Sequence, residues 1–113
     1  MTVVLESEVE RVLKTRLNDY GFHVFKLYTP GNMGVMDRMI LRPRYSPGPP
    51  MFVELKRGKK KLRPLQIAIA EDWARRGVVV LKPILGMGDC DQLCHDLIQM
   101  VMPDYMFAKV EEL

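Results

Sequence analysis

Apolar residues at Leu5, Val9, Val12, Leu13, Leu17 and Tyr20 recur with the spacing of one helical face, which predicts an amphipathic helix over Leu5–Tyr20. Gly21 follows as a stop signal. The pattern then becomes β-like. His23–Tyr28 (HVFKLY) runs into Thr29-Pro30-Gly31, a strand entering a turn, and Met36–Leu41 (MDRMIL) reads as a second strand. Arg42–Pro50 holds four of the eight prolines, the composition of a long hairpin loop. Met51–Lys56 (MFVELK) is the third strand, with Phe52 and the stem of Glu54 on one face and Val53 and Leu55 on the other. Pro64 suits the first position of a second helix, with Leu65, Ile69, Trp73 and, off the main stripe, Ile67 on its apolar side and Gly77 at its end. Val78–Leu81 is a fourth strand, dense enough in β-branched residues to be expected buried on both faces. Asp89 or Asp91 is expected to cap a last helix through about Met102, stopped by Pro103. The order α-β-β-β-α-β-α predicts an α/β fold, a mixed sheet flanked by helices, in a single domain over residues 1–113.

The 113 residues are 48% apolar and 27% charged, ordinary for a globular chain and unlike a disordered or collagen-like one. No apolar run exceeds four residues, so no bilayer-spanning helix is expected. The first residues turn acidic without a basic run, so a secretory leader is not expected either. With only two cysteines, the expectation is a reducing, cytoplasmic setting. Charge is concentrated: Lys56–Arg63 (KRGKKKLR) carries six positive charges and no acid. Taking those six from the formal net charge of +3 leaves the other 105 residues at −3. A mildly acidic body with one basic segment is the charge footprint of a polyanion binder.

Candidate chemistry lies directly before that segment. Glu54 and Lys56 are two apart on one strand, so their side chains share a face. If strands two and three pair, Asp37 comes beside Glu54, and two hard oxygen donors suit Mg²⁺, which usually takes one or two protein carboxylates plus water and phosphate. Such an ion polarises a phosphate and acidifies water, while Lys56 could orient or help deprotonate the attacking water or offset transition-state charge. Alone, Asp37 reads more readily as a turn residue, and Glu54 with Lys56 as a solvated, salt-bridged pair; their coincidence with Gln66, the glycine turn and the basic segment favours catalysis.

Asp37…Glu54-Leu55-Lys56 resembles the D…ExK core of the PD-(D/E)xK nuclease superfamily. Together with Glu6-Ser7-Glu8, the turn Pro30-Gly31…Gly34-Val35-Met36-Asp37-Arg38, Phe52-Val53-Glu54-Leu55-Lys56 and Arg63-Pro64-Leu65-Gln66, the pattern resembles the stand-alone virus-type replication-repair nuclease (VRR-NUC) domain over about residues 5–85. The helix and tail over 89–113 lie beyond that core. Met36 stands where the family has a proline, a change bearing on turn rigidity. The resemblance implies a restriction-endonuclease-like fold, Asp37 and Glu54 as metal ligands, Lys56 as the catalytic lysine and Gln66 beside the site. It also implies a helical glutamate completing the site. Glu6 is favoured for its place at the edge of the helical stripe, with Glu10, further round towards solvent, in reserve. The implied activity is a Mg²⁺-dependent endodeoxyribonuclease, with Mn²⁺ able to substitute, acting as a homodimer on branched DNA such as four-way junctions in a bacterial or phage-infected cell.

Arg57, Lys59, Lys60, Lys61 and Arg63 are the candidate DNA-phosphate contacts. No base-reading element is apparent, so selectivity is expected for DNA shape. The apolar last helix and tail are the candidate dimer contact, and no small-molecule cofactor or membrane is expected. A non-catalytic DNA-binding or assembly module is the alternative, although such a module would be expected to have lost one of Asp37, Glu54 and Lys56; action on RNA or linear ends is a third reading. Cys90, Cys94 and His95 invite a zinc site, but the histidine falls about 100° from the cysteine face on a 3.6-residue helix, and no second ligand pair exists.

Overall fold

The structure, a computed structural model, describes residues 6–27, 36–56 and 64–102, Glu6 through its backbone alone. The glycine turn at 31–34, the basic segment 57–63 and the tail 103–113 lie outside the described residues. The element order is α1 (Glu6–Asn18), β1 (His23–Lys26), β2 (Arg38–Leu41), β3 (Met51–Val53), α2 (Pro64–Arg75), β4 (Val79–Val80) and α3 (Met87–Val101), the order expected from sequence. Among the described residues no helix is long and apolar enough to cross a membrane.

The strands form one mixed sheet in the order β1-β2-β3-β4. β2 is antiparallel to both β1 and β3, whereas β3 and β4, joined through α2, run parallel. A parallel neighbour requires a crossover, and α2 supplies it. The parallel pairing continues past the strand ends through Ile84 N–H to Glu54 O at 2.9 Å and Lys56 N–H to Ile84 O at 2.8 Å. Between Phe52↔Val80 and Leu55↔Ile84 the register slips by one, with the extra residue on the β4 side near Pro83, which has no N–H to donate.

Period-two alternation sorts β3 as expected. Met51, Val53 and Leu55 enter the core with Ile40 of β2, Val9, Leu13 and Leu17 of α1, and Cys90, Cys94, Leu97, Ile98 and Val101 of α3. Phe52 faces the other way, edge-on to Trp73 of α2 with ring centroids 5.1 Å apart. Thus α1 and α3 cover one face of the sheet and α2 the other.

Three expectations change. β4 is half-buried rather than buried on both faces, because the strand order leaves it at an edge. On α2, Leu65 and Ile67 are 50% and 44% exposed, and the helix's buried residue is polar Gln66. Finally, α3 begins at Met87 behind an extended Gly86, and neither expected aspartate caps it: Asp89 accepts from Leu85 N–H at 2.9 Å, and Asp91 pairs with Arg16 at 2.7 Å. Met102 turns extended at the end of α3, as suits a residue before proline.

α1 and α2 end alike. Gly21 and Gly77 both adopt φ +88°, and the next residue's N–H returns to the helix, Phe22 to Leu17 O and Val78 to Trp73 O, each at 3.0 Å. A side chain at Gly21 would also meet Pro43 Cβ at 3.1 Å, whereas Gly77 faces open space. Gly77→Ala should therefore cost about 1 kcal/mol from the left-handed backbone alone, and Gly21→Ala measurably more. Urea denaturation of the two variants checks the difference.

Candidate functional site

β2 and β3 pair Arg38 with Val53, so the next positions outward, Asp37 and Glu54, meet where the ladder ends. Backbone donors hold them there reciprocally. Asp37 N–H donates to Glu54 Oε2 at 3.1 Å, and Leu55 N–H donates to Asp37 Oδ1 at 3.1 Å. Alternation places Lys56 on the face of Glu54, its Nζ 3.7 Å from Glu54 Oε1. From the first turn of α2, Gln66, 6% exposed, hydrogen-bonds the Glu54 side chain. Four sequence candidates, Asp37, Glu54, Lys56 and Gln66, are thus brought together.

The electrostatics follow from that crowding. Burial, and then the neighbouring negative charge of Asp37, push the Glu54 carboxyl above its ordinary value, against the opposing pull of Lys56, the Asp37 N–H and Gln66. Two acids side by side, one resisting ionisation, form a site that a cation relieves. Their oxygens are hard donors, and a pair of carboxylates leaves a Mg²⁺-sized ion room for water and phosphate, so the residues present fit that ion. Among the described residues no cluster of three or more His, Cys, Asp or Glu stands ready for a metal. The cysteines are reduced and buried, with Cys90 Sγ 3.8 Å from Val9 O, and His95 is exposed. The hydrogen bond to Cys94, and then burial, push the Cys90 thiol up, which keeps it protonated.

Glu10 does not point towards solvent as its helical position suggested. Its Oε2 accepts from Arg38 Nη2 at 2.8 Å, and Lys14 approaches its Oε1 at 3.3 Å. Burial draws the Glu10 carboxyl upward, but the hydrogen bond and charge of Arg38, with those of Lys14, outweigh it and leave the group below its ordinary value. Arg38 also pairs through Nη1 with Asp37 Oδ2 at 2.8 Å, and it is 1% exposed. The Glu6 side chain and the cationic candidates Arg57, Lys59, Lys60, Lys61 and Arg63 lie outside the described residues. Sequence reasoning passed over Arg38 as a site residue. Its signal was phase: Arg38 sits between Met36 and Ile40 in an alternation whose other members are buried.

No family model matches the chain. Nor does any of the curated proteins compared with it. Solved structures do match. One described as "VRR_NUC domain" is 30% identical, with a TM-score of 0.67 over 80% of this chain and 94% of its own. Another, "VRR_NUC domain protein", is 19% identical, with a TM-score of 0.61 over 87% and 91% of the two chains, a likeness of fold.

The raised Glu54 makes a sign-specific prediction for metal-free protein. A carboxyl whose folded value lies above its unfolded value opposes folding once pH exceeds the unfolded value of about 4.5. Its contribution worsens as pH climbs towards the folded value and is then constant. In EDTA, Glu54→Gln should therefore melt higher than wild type at pH 7, and the gain should vanish below pH 4. Melting curves across that range check it.

Proposed function

The chain belongs to the VRR_NUC domain family, whose fold is that of a nuclease, and from that premise we propose that it is a Mg²⁺-dependent endodeoxyribonuclease hydrolysing phosphodiester bonds of branched DNA. The observation carrying this reading is the reciprocal hydrogen bonding of Asp37 and Glu54, with Lys56 3.7 Å from the glutamate. Asp37 and Glu54 would hold the ion, with Mn²⁺ able to substitute. When bound, such an ion supplies Lewis-acid polarisation of the phosphate and lowers the pKa of water.

The chain's own groups do the rest. Backbone N–H bonds at 3.1 Å hold both carboxylates in place before any ligand arrives, so little reorganisation is left for the reaction. The Lys56 ammonium lies where it can orient the attacking water, pass a proton or offset charge gathering on the phosphoryl oxygens. Gln66 ties the start of α2 to Glu54, and the sequence that leads into this helix carries the cationic candidates for flanking phosphates. Arg57, Lys59, Lys60, Lys61 and Arg63 would grip these without reading bases. A homodimer would present two such sites to a near-symmetric four-way junction.

Asp37→Ala and Glu54→Ala should each lower Mg²⁺-dependent cleavage of a junction by about 100-fold or more while still shifting the DNA in a gel. Cleavage by either variant would remove the metal site, and wild-type binding without cleavage would leave a non-catalytic DNA module. Lys56→Ala should reduce turnover by about 100-fold or more with far less effect on affinity. Neutralising Lys59, Lys60 and Lys61 together should make the slope of log affinity against log salt shallower by about 2–3. An unchanged slope would place that segment away from DNA.

A further inference from the structure

Arg38 occupies a position that a surface arginine never would. It lies on the core-facing phase of β2 beside Ile40, is 1% exposed, and divides its guanidinium between two carboxylates on different elements. Nη2 donates to Glu10 Oε2 and Nη1 pairs with Asp37 Oδ2, both at 2.8 Å, and Nη1 also donates to the Asp37 carbonyl at 3.3 Å. This planar fork sets the Asp37 side chain from one edge while Leu55 N–H sets it from the other. A guanidinium that close to a proposed metal ligand also competes with a divalent ion for it. Glu10 bears on that competition: its carboxylate sets a negative charge against the guanidinium that faces Asp37. Lys14, half-exposed, neutralises Glu10 less effectively, because solvent screens it.

We propose that Arg38 and Glu10 are positioning residues for the metal site, with Arg38 fixing the Asp37 carboxylate and Glu10 drawing on the guanidinium charge so that Asp37 remains open to a cation. Glu10 thereby acts on the ion through Arg38, without ligating it. The inference rests on the metal-site reading above.

The test is a calorimetric titration of Mn²⁺ into metal-free, full-length protein without DNA. Glu10→Gln and Arg38→Lys should each weaken Mn²⁺ binding by about 10-fold: the first removes the negative charge behind the guanidinium, and the second keeps the charge but cannot span both acids. Adding Glu10→Gln to an Arg38→Gln chain should change affinity by less than about twofold, because the intermediary is gone. Should Arg38→Gln fail to fold, the Glu10→Gln and Arg38→Lys titrations decide alone. A merely structural pair would lower the metal-free melting temperature of Glu10→Gln and leave its Mn²⁺ affinity at the wild-type value, which overturns the inference, as would an equal Glu10→Gln effect with and without Arg38. If wild type binds no Mn²⁺, or Asp37→Asn binds it equally well, the metal site itself falls and this inference with it. Wild-type binding that depends on Asp37 but ignores Glu10 and Arg38 removes only the inference.

Discussion

Like charges repel, yet the end of the β2–β3 ladder holds the carboxyls of Asp37 and Glu54 together. Each takes an N–H from the other's strand segment, Glu54 from Asp37 and Asp37 from Leu55. The geometry is therefore enforced by the backbone that makes the sheet, and any rearrangement separating the acids would break strand-end hydrogen bonds as well. Among the described residues, three groups answer the resulting excess of negative charge. Lys56 and Gln66 meet Glu54, while Arg38 meets Asp37.

The core supports that arrangement from one side only. α1 and α3 close over Ile40, Met51, Val53 and Leu55, an apolar contact that fixes the two central strands against each other. On the opposite face, α2 sets Trp73 against Phe52 and Gln66 against Glu54. A buried amide whose partner is a buried carboxylate is a directional contact, since misplacing either group strands a polar atom away from water. The helix is thereby registered to the site by hydrogen bonding as much as by packing.

Much of this was legible in the sequence. Helical and strand periods marked every element, and the alternation Phe52, Glu54, Lys56 against Val53, Leu55 put acid and base on one face. The meeting of Asp37 with Glu54 followed from assuming that consecutive strands pair. What escaped depended on long-range packing. The partial exposure of β4 comes from its edge position, which strand order determines and local composition does not. Leu65 looks like a core residue on a helical wheel, yet it is exposed, and the face that α2 presents inward carries Gln66 as well as Trp73. Arg38 and Glu10 are residues of types normally found in water, and only the juxtaposition of α1 with β2 gives each a reason to leave it.

The slipped register between β3 and β4 bears on how this architecture tolerates change. Its surplus residue sits in the Leu81–Ile84 stretch, so the chain from Met51 to Lys56 keeps an unbroken up-down rhythm. Length variation near Pro83 can be absorbed by an irregularity already present. A single insertion upstream of Glu54 would instead invert the phase, driving the acid into the greasy interior and turning Val53 or Leu55 outward. The molecule thus keeps its slack on the neighbouring strand and leaves the acid-bearing one no freedom to drift.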